Sequence, residues 1–339
     1  MATGGFRLIS KSGSNAPSPL VGIIVHNYNG GANLQRFLES CSLLAYRNYH
    51  VFVVDNGSND DSEKPALHFP KTSLIKLTRN EGVEAVNVGI RAALSASARY
   101  VFVADNDTVL ATDILSVLVE VMEADSSVGV AAPATFKLGS PRELERYALG
   151  TMLDRRTGNL TAVSASAFSG RDQIEVDVVG ASLMRASMLQ RIGLYDRIYF
   201  LYSTDNDICA RAKLGGYRVI VCPRAKLWHA GSSTTRRVTG FKSYYFAANR
   251  LIFLRKFAKI IDSSLTFSIL LNGFIQSVGT EIAMGRSLTL IAKALIMGTT
   301  GTACGLAYFY TGRYPDLFWA RRVLYIELES KSSFKPQRG

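Results

Sequence analysis

Between Val101 and Asp107 the chain reads Val-Phe-Val-Ala-Asp-Asn-Asp, an apolar run that stops on two carboxylates one residue apart. At the open end of a strand, such a pair offers hard oxygen ligands to a divalent cation, Mg²⁺ or Mn²⁺, and through it to a phosphate-bearing ligand. The heptapeptide alone serves equally well as a strand followed by an Asx-turn, with Asp105 and Asn106 satisfying loop backbone. The rest of the chain turns the balance toward a ligand site.

The elements that must carry this pair alternate. Val21–Val25 is a short β-branched run, followed by turn residues Asn27 to Gly31 and an amphipathic stretch from Leu34 to Leu44. Val51–Val54 ends in Asp55-Asn56-Gly57-Ser58. Leu74–Leu77 is followed by Asn80, Gly82 and a helical pattern from Val83 to Leu94. Tyr100–Ala104 ends on the acidic pair, and Ile114–Met122 is the next helix. Strands of this length alternating with helical patterns predict βα units, a mostly parallel sheet and an α/β fold. Ligands bind beyond the carboxyl ends of such strands. Asn27, Asp55, Asn80, Asp105 and Asp107 all fall there, which predicts one shared ligand-facing edge. No GxGxxG or Walker motif occurs, so dinucleotide binding and P-loop chemistry are poorly supported.

Composition limits the alternatives. At 339 residues the chain can bury a proper core, and 47% apolar content with ordinary Gly and Pro marks it as globular. Residues 1–19 are Ser/Gly/Pro-rich without an apolar h-region and read as a loose tail rather than a signal peptide. The four cysteines, Cys41, Cys209, Cys222 and Cys304, contain no CxxC pair. Reduced thiols in the cytoplasm are expected, with neither disulfides nor a zinc site. The net charge of +12 is concentrated, with eight Lys or Arg and no acid from Lys226 to Lys259. Such a run suits nucleic acid, anionic lipid or a phosphorylated substrate. No nucleic-acid-binding signature accompanies it, so nucleic acid is not expected as a partner.

Taken in order, His26-Asn27-Tyr28-Asn29-Gly30, Val53-Val54-Asp55-Asn56-Gly57-Ser58, Asn80-Glu81-Gly82 with Asn87 and Gly89, and Asp105-Asn106-Asp107-Thr108 resemble family 2 glycosyltransferases. The resemblance continues through Gly180-Ala181, Gly193-Leu194-Tyr195-Asp196, Tyr202 to Arg211 and Trp228-His229-Ala230-Gly231-Ser232-Ser233, covering roughly residues 20 to 250. It is strongest to the rhamnosyltransferase-like and galactofuranosyltransferase-like branch, which builds surface polysaccharides and glycolipids. The resemblance implies a GT-A fold with a Rossmann-like, mostly parallel sheet flanked by helices. It also implies a nucleotide-sugar donor, a Mn²⁺ or Mg²⁺ cofactor, and inversion at the anomeric carbon. Asp55 matches the aspartate that meets the nucleotide base, with the Asn27 loop beneath it and Asn80 nearby. Asp107 matches the metal-binding aspartate and Asp105 its partner facing ribose or metal. His229 matches a histidine that completes the metal shell in several relatives. Asp205 matches the catalytic base. One departure is Thr204, where relatives commonly carry Glu, which leaves Asp207 as a rival base. Asp207 and Arg211 are spaced for an i,i+4 pair, and a partnered carboxylate is the poorer base.

The chemistry agrees with this inventory. Breaking an anomeric C–O bond puts negative charge on a leaving diphosphate, which a cation stabilises, while a carboxylate on the opposite face takes the acceptor's proton. His229 can be a metal ligand or simply structural, and Trp228 beside it can be core. Arg236 and Arg237 can touch a diphosphate or remain solvated. Two other classes stay open, a sugar nucleotidyltransferase and a catalytically inactive nucleotide-sugar-binding protein. The first is expected to carry a basic, Gly-rich loop after its first strand, whereas His26–Gly31 has no Arg or Lys.

Three regions follow: the tail to residue 19, a catalytic domain over 20–235, and a basic, apolar helical region over 236–339. In the last, Leu265–Met284 is interrupted by Asn272, Gln276 and Glu281, while Leu288–Tyr310 carries only Lys293. A spanning helix needs ~20 apolar residues, so only the second is long enough. Gly301 and Gly305 in it form a small-xxx-small pair. The segments can be packing helices. With the basic run before them, they also suit interfacial helices on an anionic leaflet, at the inner face of the cell membrane, serving a glycan or lipid-linked acceptor.

Overall fold

The computed structural model describes residues 17–145, 148–154, 159–168, 171–231, 241–257, 275, 279 and 288–311. Three sequence readings lie outside these residues. They are the tail up to Ala16, the loop from Ser232 that holds Arg236 and Arg237, and the Leu265–Met284 segment other than Ile275 and Gly279.

The first half follows the predicted alternation. The elements are β1 (Val21–Asn27), α1 (Gly31–Ser42), β2 (Tyr49–Asp55), β3 (Thr72–Lys76), α2 (Glu84–Ser95), β4 (Tyr100–Asp105), β5 (Thr108–Leu110) and α3 (Ile114–Ala124). Then come β6 (Val128–Lys137), β7 (Ser140–Leu144), β8 (Thr151–Asp154), β9 (Asn159–Ala162), β10 (Ile174–Glu175), β11 (Ser182–Arg185) and α4 (Ala186–Ile192). The described chain closes with α5 (Thr204–Leu214), β12 (Arg218–His229), α6 (Phe241–Phe257) and α7 (Leu288–Thr311).

The sheet order is β10-β12-β6-β11-β4-β1-β2-β3, with β5 paired to β12 and β7 to β6; β8 and β9 form a separate hairpin. Strands β3, β2, β1 and β4 run parallel, β6 and β12 run parallel, and β11 lies antiparallel between β4 and β6. The central strands read as continuous apolar runs because helices cover both faces. Along β1, Val21, Ile23 and Val25 join the core beneath α1 and α3, while Ile24 joins the opposite core with α2, α4 and α5. In α1 the inward residues Leu34, Phe37, Leu38 and Cys41 keep the helical spacing of an apolar stripe.

Two motif residues fix this packing rather than any ligand. A Cβ at Gly89 would lie 2.6 Å from the Ile24 side chain, so glycine lets α2 sit close on the sheet. Asn87 donates to the Tyr195 carbonyl at 2.9 Å and accepts from the Tyr195 amide at 3.0 Å, stapling α2 to the segment before α5.

Strand order reverses between β1 and β4, the place where an open α/β sheet forms its ligand crevice. His26 lies opposite Asp105 across that pair. From the far side of the sheet, β5 pairs antiparallel with β12, putting Thr108 opposite His229. The Ala230 amide also donates to the Asp107 carbonyl at 2.9 Å. Residues more than a hundred positions apart are thereby held at one strand end.

Helices α6 and α7 pack against one another. A Cβ at Gly301 would fall 2.2 Å from the Tyr244 carbonyl, and one at Gly305 would fall 2.8 Å from Leu251, so the small-xxx-small pair serves close helix packing. Among the described residues no helix is long and apolar enough to cross a membrane. Part of the basic run is engaged by other groups of the chain. Lys256 pairs with Asp196 and Asp207, Arg250 donates to Asn159, and Arg255 donates to the Phe309 carbonyl.

Candidate active site

The carboxyl ends of β1 and β4 open into a cavity of about 400 Å³. Asp105, Asp107 and His229 stand at one wall, Asp205 and Tyr202 at another, and Asn56, Asn80 and Tyr28 at a third.

At the first wall, one ligand atom from each of Asp105, Asp107 and His229 lies within 4.8 Å of the others. The turn that presents the two carboxylates is locked by the Thr108 hydroxyl, which donates to the Asp105 carbonyl at 2.7 Å. Asn106 donates to Asn27 Oδ1 at 2.8 Å from the same turn. His229 Nε2 is 3.2 Å from Asp107 Oδ1, and its Nδ1 is 3.0 Å from Glu145 Oε1. Burial pulls the imidazole pKa down, but hydrogen bonds and charge from Asp107 and Glu145 outweigh it and raise it to about 10. Two carboxylate oxygens and an imidazole nitrogen are a donor set that fits Mn²⁺ or Mg²⁺. Ligation through Nε2 requires the ring to give up its proton. Glu145 on the opposite nitrogen would then fix the tautomer and aim the ring.

At the second wall, Asp205 sits in the first turn of α5. The turn before it is unusual, because Tyr202 and Ser203 both adopt left-handed backbone, φ 62° and 56°. Burial and then the nearby charge of Asp105 raise the Asp205 pKa to about 7. Asp207, one turn further along, does not line the cavity. Its side chain is fully buried, 2.7 Å from Arg211 Nε and paired with Lys256. The predicted i,i+4 pair is therefore present. Removing one partner from such a buried pair typically costs ~3–5 kcal/mol, so Asp207 is expected to matter for stability.

The third wall separates two groups of expected ligand residues. Asn80 lines the cavity, and with Asn56 it orders the loop. Asn56 donates to Asn80 Oδ1 at 3.1 Å and accepts from the Glu81 amide at 2.8 Å. Asn27 and Asp55 do not line it. Asn27 is fully buried and donates to Asp55 Oδ1 at 3.3 Å and Ser62 Oγ at 2.7 Å. Asp55 also accepts from the Ser58 amide at 3.2 Å. These bonds tie the β1 and β2 ends together.

Sequence reasoning did not single out Glu145. It follows β7, 84 positions from His229, and only the pairing of β7 with β6 and β6 with β12 brings it in. No local spacing signals that.

A sheet of this order, with helices on both faces and a carboxylate-rich reversal point, defines the GT-A class of glycosyltransferase fold. The chain belongs to glycosyltransferase family 2, whose family model matches residues 22–193. It is 23% identical over 227 residues to the dTDP-rhamnosyl transferase RfbF of Shigella flexneri, covering 63% of this chain and 73% of that protein. It is 25% identical over 238 residues to the N-acetylglucosaminyl-diphospho-decaprenol L-rhamnosyltransferase of Mycobacterium tuberculosis, covering 63% and 77%. In fold it is similar to the mannosyltransferase PcManGT of Pyrobaculum calidifontis, solved with GDP-Man and Mn²⁺. That similarity has a TM-score of 0.52 at 18% identity, over 95% of this chain and 89% of that one.

Proposed function

We propose that this protein transfers a sugar from a UDP- or dTDP-linked donor to a hydroxyl of a glycan or lipid-linked acceptor, inverting the anomeric centre. The observation that carries the reading is that Asp205 lines one cavity together with Asp105, Asp107 and His229.

In this reading Asp107, His229 and Asp105 would hold a divalent ion, Mn²⁺ or Mg²⁺. When bound, that ion supplies Lewis-acid stabilisation of the charge on the departing phosphate. Asn80 and Asn56 form the wall against the nucleotide, and Asn27 and Asp55 keep that wall rigid. Asp205 takes the proton of the attacking hydroxyl. A carboxylate whose pKa lies near 7 is matched to that task at neutral pH. Among the described residues three carboxylates line the cavity, and two of them belong to the cluster. That leaves one for the base and none for a covalent nucleophile, which favours direct displacement and inversion.

The dTDP and polyprenyl chemistry in the relatives' names supports a dTDP-sugar donor and a lipid-linked acceptor. Such an acceptor would bring the protein to the cytoplasmic face of the membrane, where α6 and α7 are the candidate docking elements.

Incubating the protein with UDP-, dTDP- and GDP-sugars in Mn²⁺ or EDTA tests the reading. Mn²⁺-dependent release of the nucleoside diphosphate from one donor is expected. Saturable donor binding without turnover would instead mark an inactive binding protein. Conversion of a nucleoside triphosphate and a sugar phosphate would mark a nucleotidyltransferase.

A further inference from the structure

The segment Phe200–Ser203, which leads into Asp205, is held from two sides. On the nucleotide side, the Val83 amide donates to the Phe200 carbonyl at 2.9 Å. Gly82, at φ +58°, approaches so closely that a Cβ there would lie 2.3 Å from that same oxygen. On the other side lies α6. Asn249, 1% exposed, donates from Nδ2 to the Leu201 carbonyl at 2.7 Å and to the Tyr202 carbonyl at 3.1 Å. Tyr245 stacks on Phe200 at 5.8 Å between centroids, and Phe246 meets Tyr202 at 4.7 Å. Lys256 closes the far end on Asp207 and Asp196. Tyr245, Asn249 and Lys256 are four and seven residues apart, so one stripe of α6 makes all three attachments.

The held segment is one that would not keep its shape unaided. Two consecutive non-glycine residues in the left-handed region are disfavoured for L-amino acids, and persist where surrounding structure over-determines them. The next turn of chain is the start of α5, where Asp205 faces the cavity.

We infer that α6 is a working part of the catalytic centre and that Asn249 is a positioning residue, whose two hydrogen bonds fix the Tyr202–Ser203 turn and thereby the place of Asp205 on the cavity wall. The inference rests on the reading of Asp205 as the base. It also means that the region after residue 235 is not a detachable appendage, since the element holding the base lies within it.

The test is a double-mutant cycle on the full chain with Asn249→Ala and Asp205→Asn, measuring kcat and donor KM in Mn²⁺. Calorimetric titration with UDP and dTDP in Mn²⁺ and a melting curve accompany each variant. Asn249→Ala is expected to lower kcat by roughly 10–100-fold, with nucleotide affinity within about threefold, because misplacing a reacting group costs turnover rather than nucleotide binding. In the Asp205→Asn background it should cost little more, since placing an absent base has no value. An equal loss in both backgrounds, or no loss of kcat in either, overturns the positioning role. Normal turnover of Asp205→Asn alone overturns the base assignment, a separate result. Should Asn249→Ala not fold, Asn249→Leu is read in the same way, because it keeps the volume and removes both donors without burying a charge.

Discussion

Replacing Asp205 by Asn is expected to slow transfer and stabilise the protein at once. Folding moves this carboxyl from 3.8 to about 7, burial being the larger cause and Asp105 the lesser. At 1.36 kcal/mol for each pH unit, that displacement corresponds to ~4 kcal/mol, an upper bound because cavity water relaxes around the charge. Because the folded pKa lies above the unfolded one, the native state binds the extra proton between about pH 4 and pH 7. The penalty is absent below about pH 4, grows as pH rises, and is complete above about pH 7. An amide of the same shape carries no such penalty. The Tm of Asp205→Asn in EDTA should match wild type near pH 4 and exceed it by several degrees near pH 8. Turnover at neutral pH should fall by roughly 10²–10⁴-fold, the range for a lost general base, with Mn²⁺-dependent nucleotide binding kept. A Tm difference that is flat in pH would refute the buried, charge-coupled environment assigned to Asp205. Full turnover would refute its role.

Four further outcomes are expected. Asp107→Ala should abolish Mn²⁺-dependent nucleotide binding in a calorimetric titration, and Asp105→Ala should weaken it less; near-normal binding in Asp107→Ala would remove the metal assignment. Glu145→Gln should weaken Mn²⁺ binding roughly 10-fold or more, as lost support of a ligating histidine does, read by the EPR signal of free Mn²⁺. Apparent Mn²⁺ affinity should also rise with pH over the neutral range, because His229 must shed its proton to ligate. Full-length protein should co-sediment with anionic liposomes and be partly released by salt, since surface basic residues are worth ~1 kcal/mol each and are screened; indifference to liposomes at low salt would leave α6 and α7 as packing helices alone.

Much of the fold was legible because the central strands β1, β2 and β4 are buried on both faces and therefore read as largely apolar runs. The reversal point announced itself through strand ends in Asx. The Asp207–Arg211 pair followed from helical spacing alone. Other features depend on tertiary geometry that no spacing encodes. Asn27 and Asp55 look the same in sequence whatever they bond to, and their hydrogen bonds to one another, to Ser58 and to Ser62 become visible only in the fold. Glu145 reaches His229 through two sheet pairings. Lys256 sits in a basic run that charge counting assigns to a surface, yet its partners are Asp196 and the buried Asp207.

The antiparallel pairing of β5 with β12 has a consequence for the order in which competence arises. Asp105 and Asp107 are available as soon as the first four strands are made, but their histidine arrives on the last strand of the sheet. In a chain made from its N-terminus, the strand carrying Asp105 is therefore synthesised more than a hundred residues before His229. Such distant closures are slow steps in folding. The cluster of Asp105, Asp107 and His229 is thus complete only once β12 has joined the sheet.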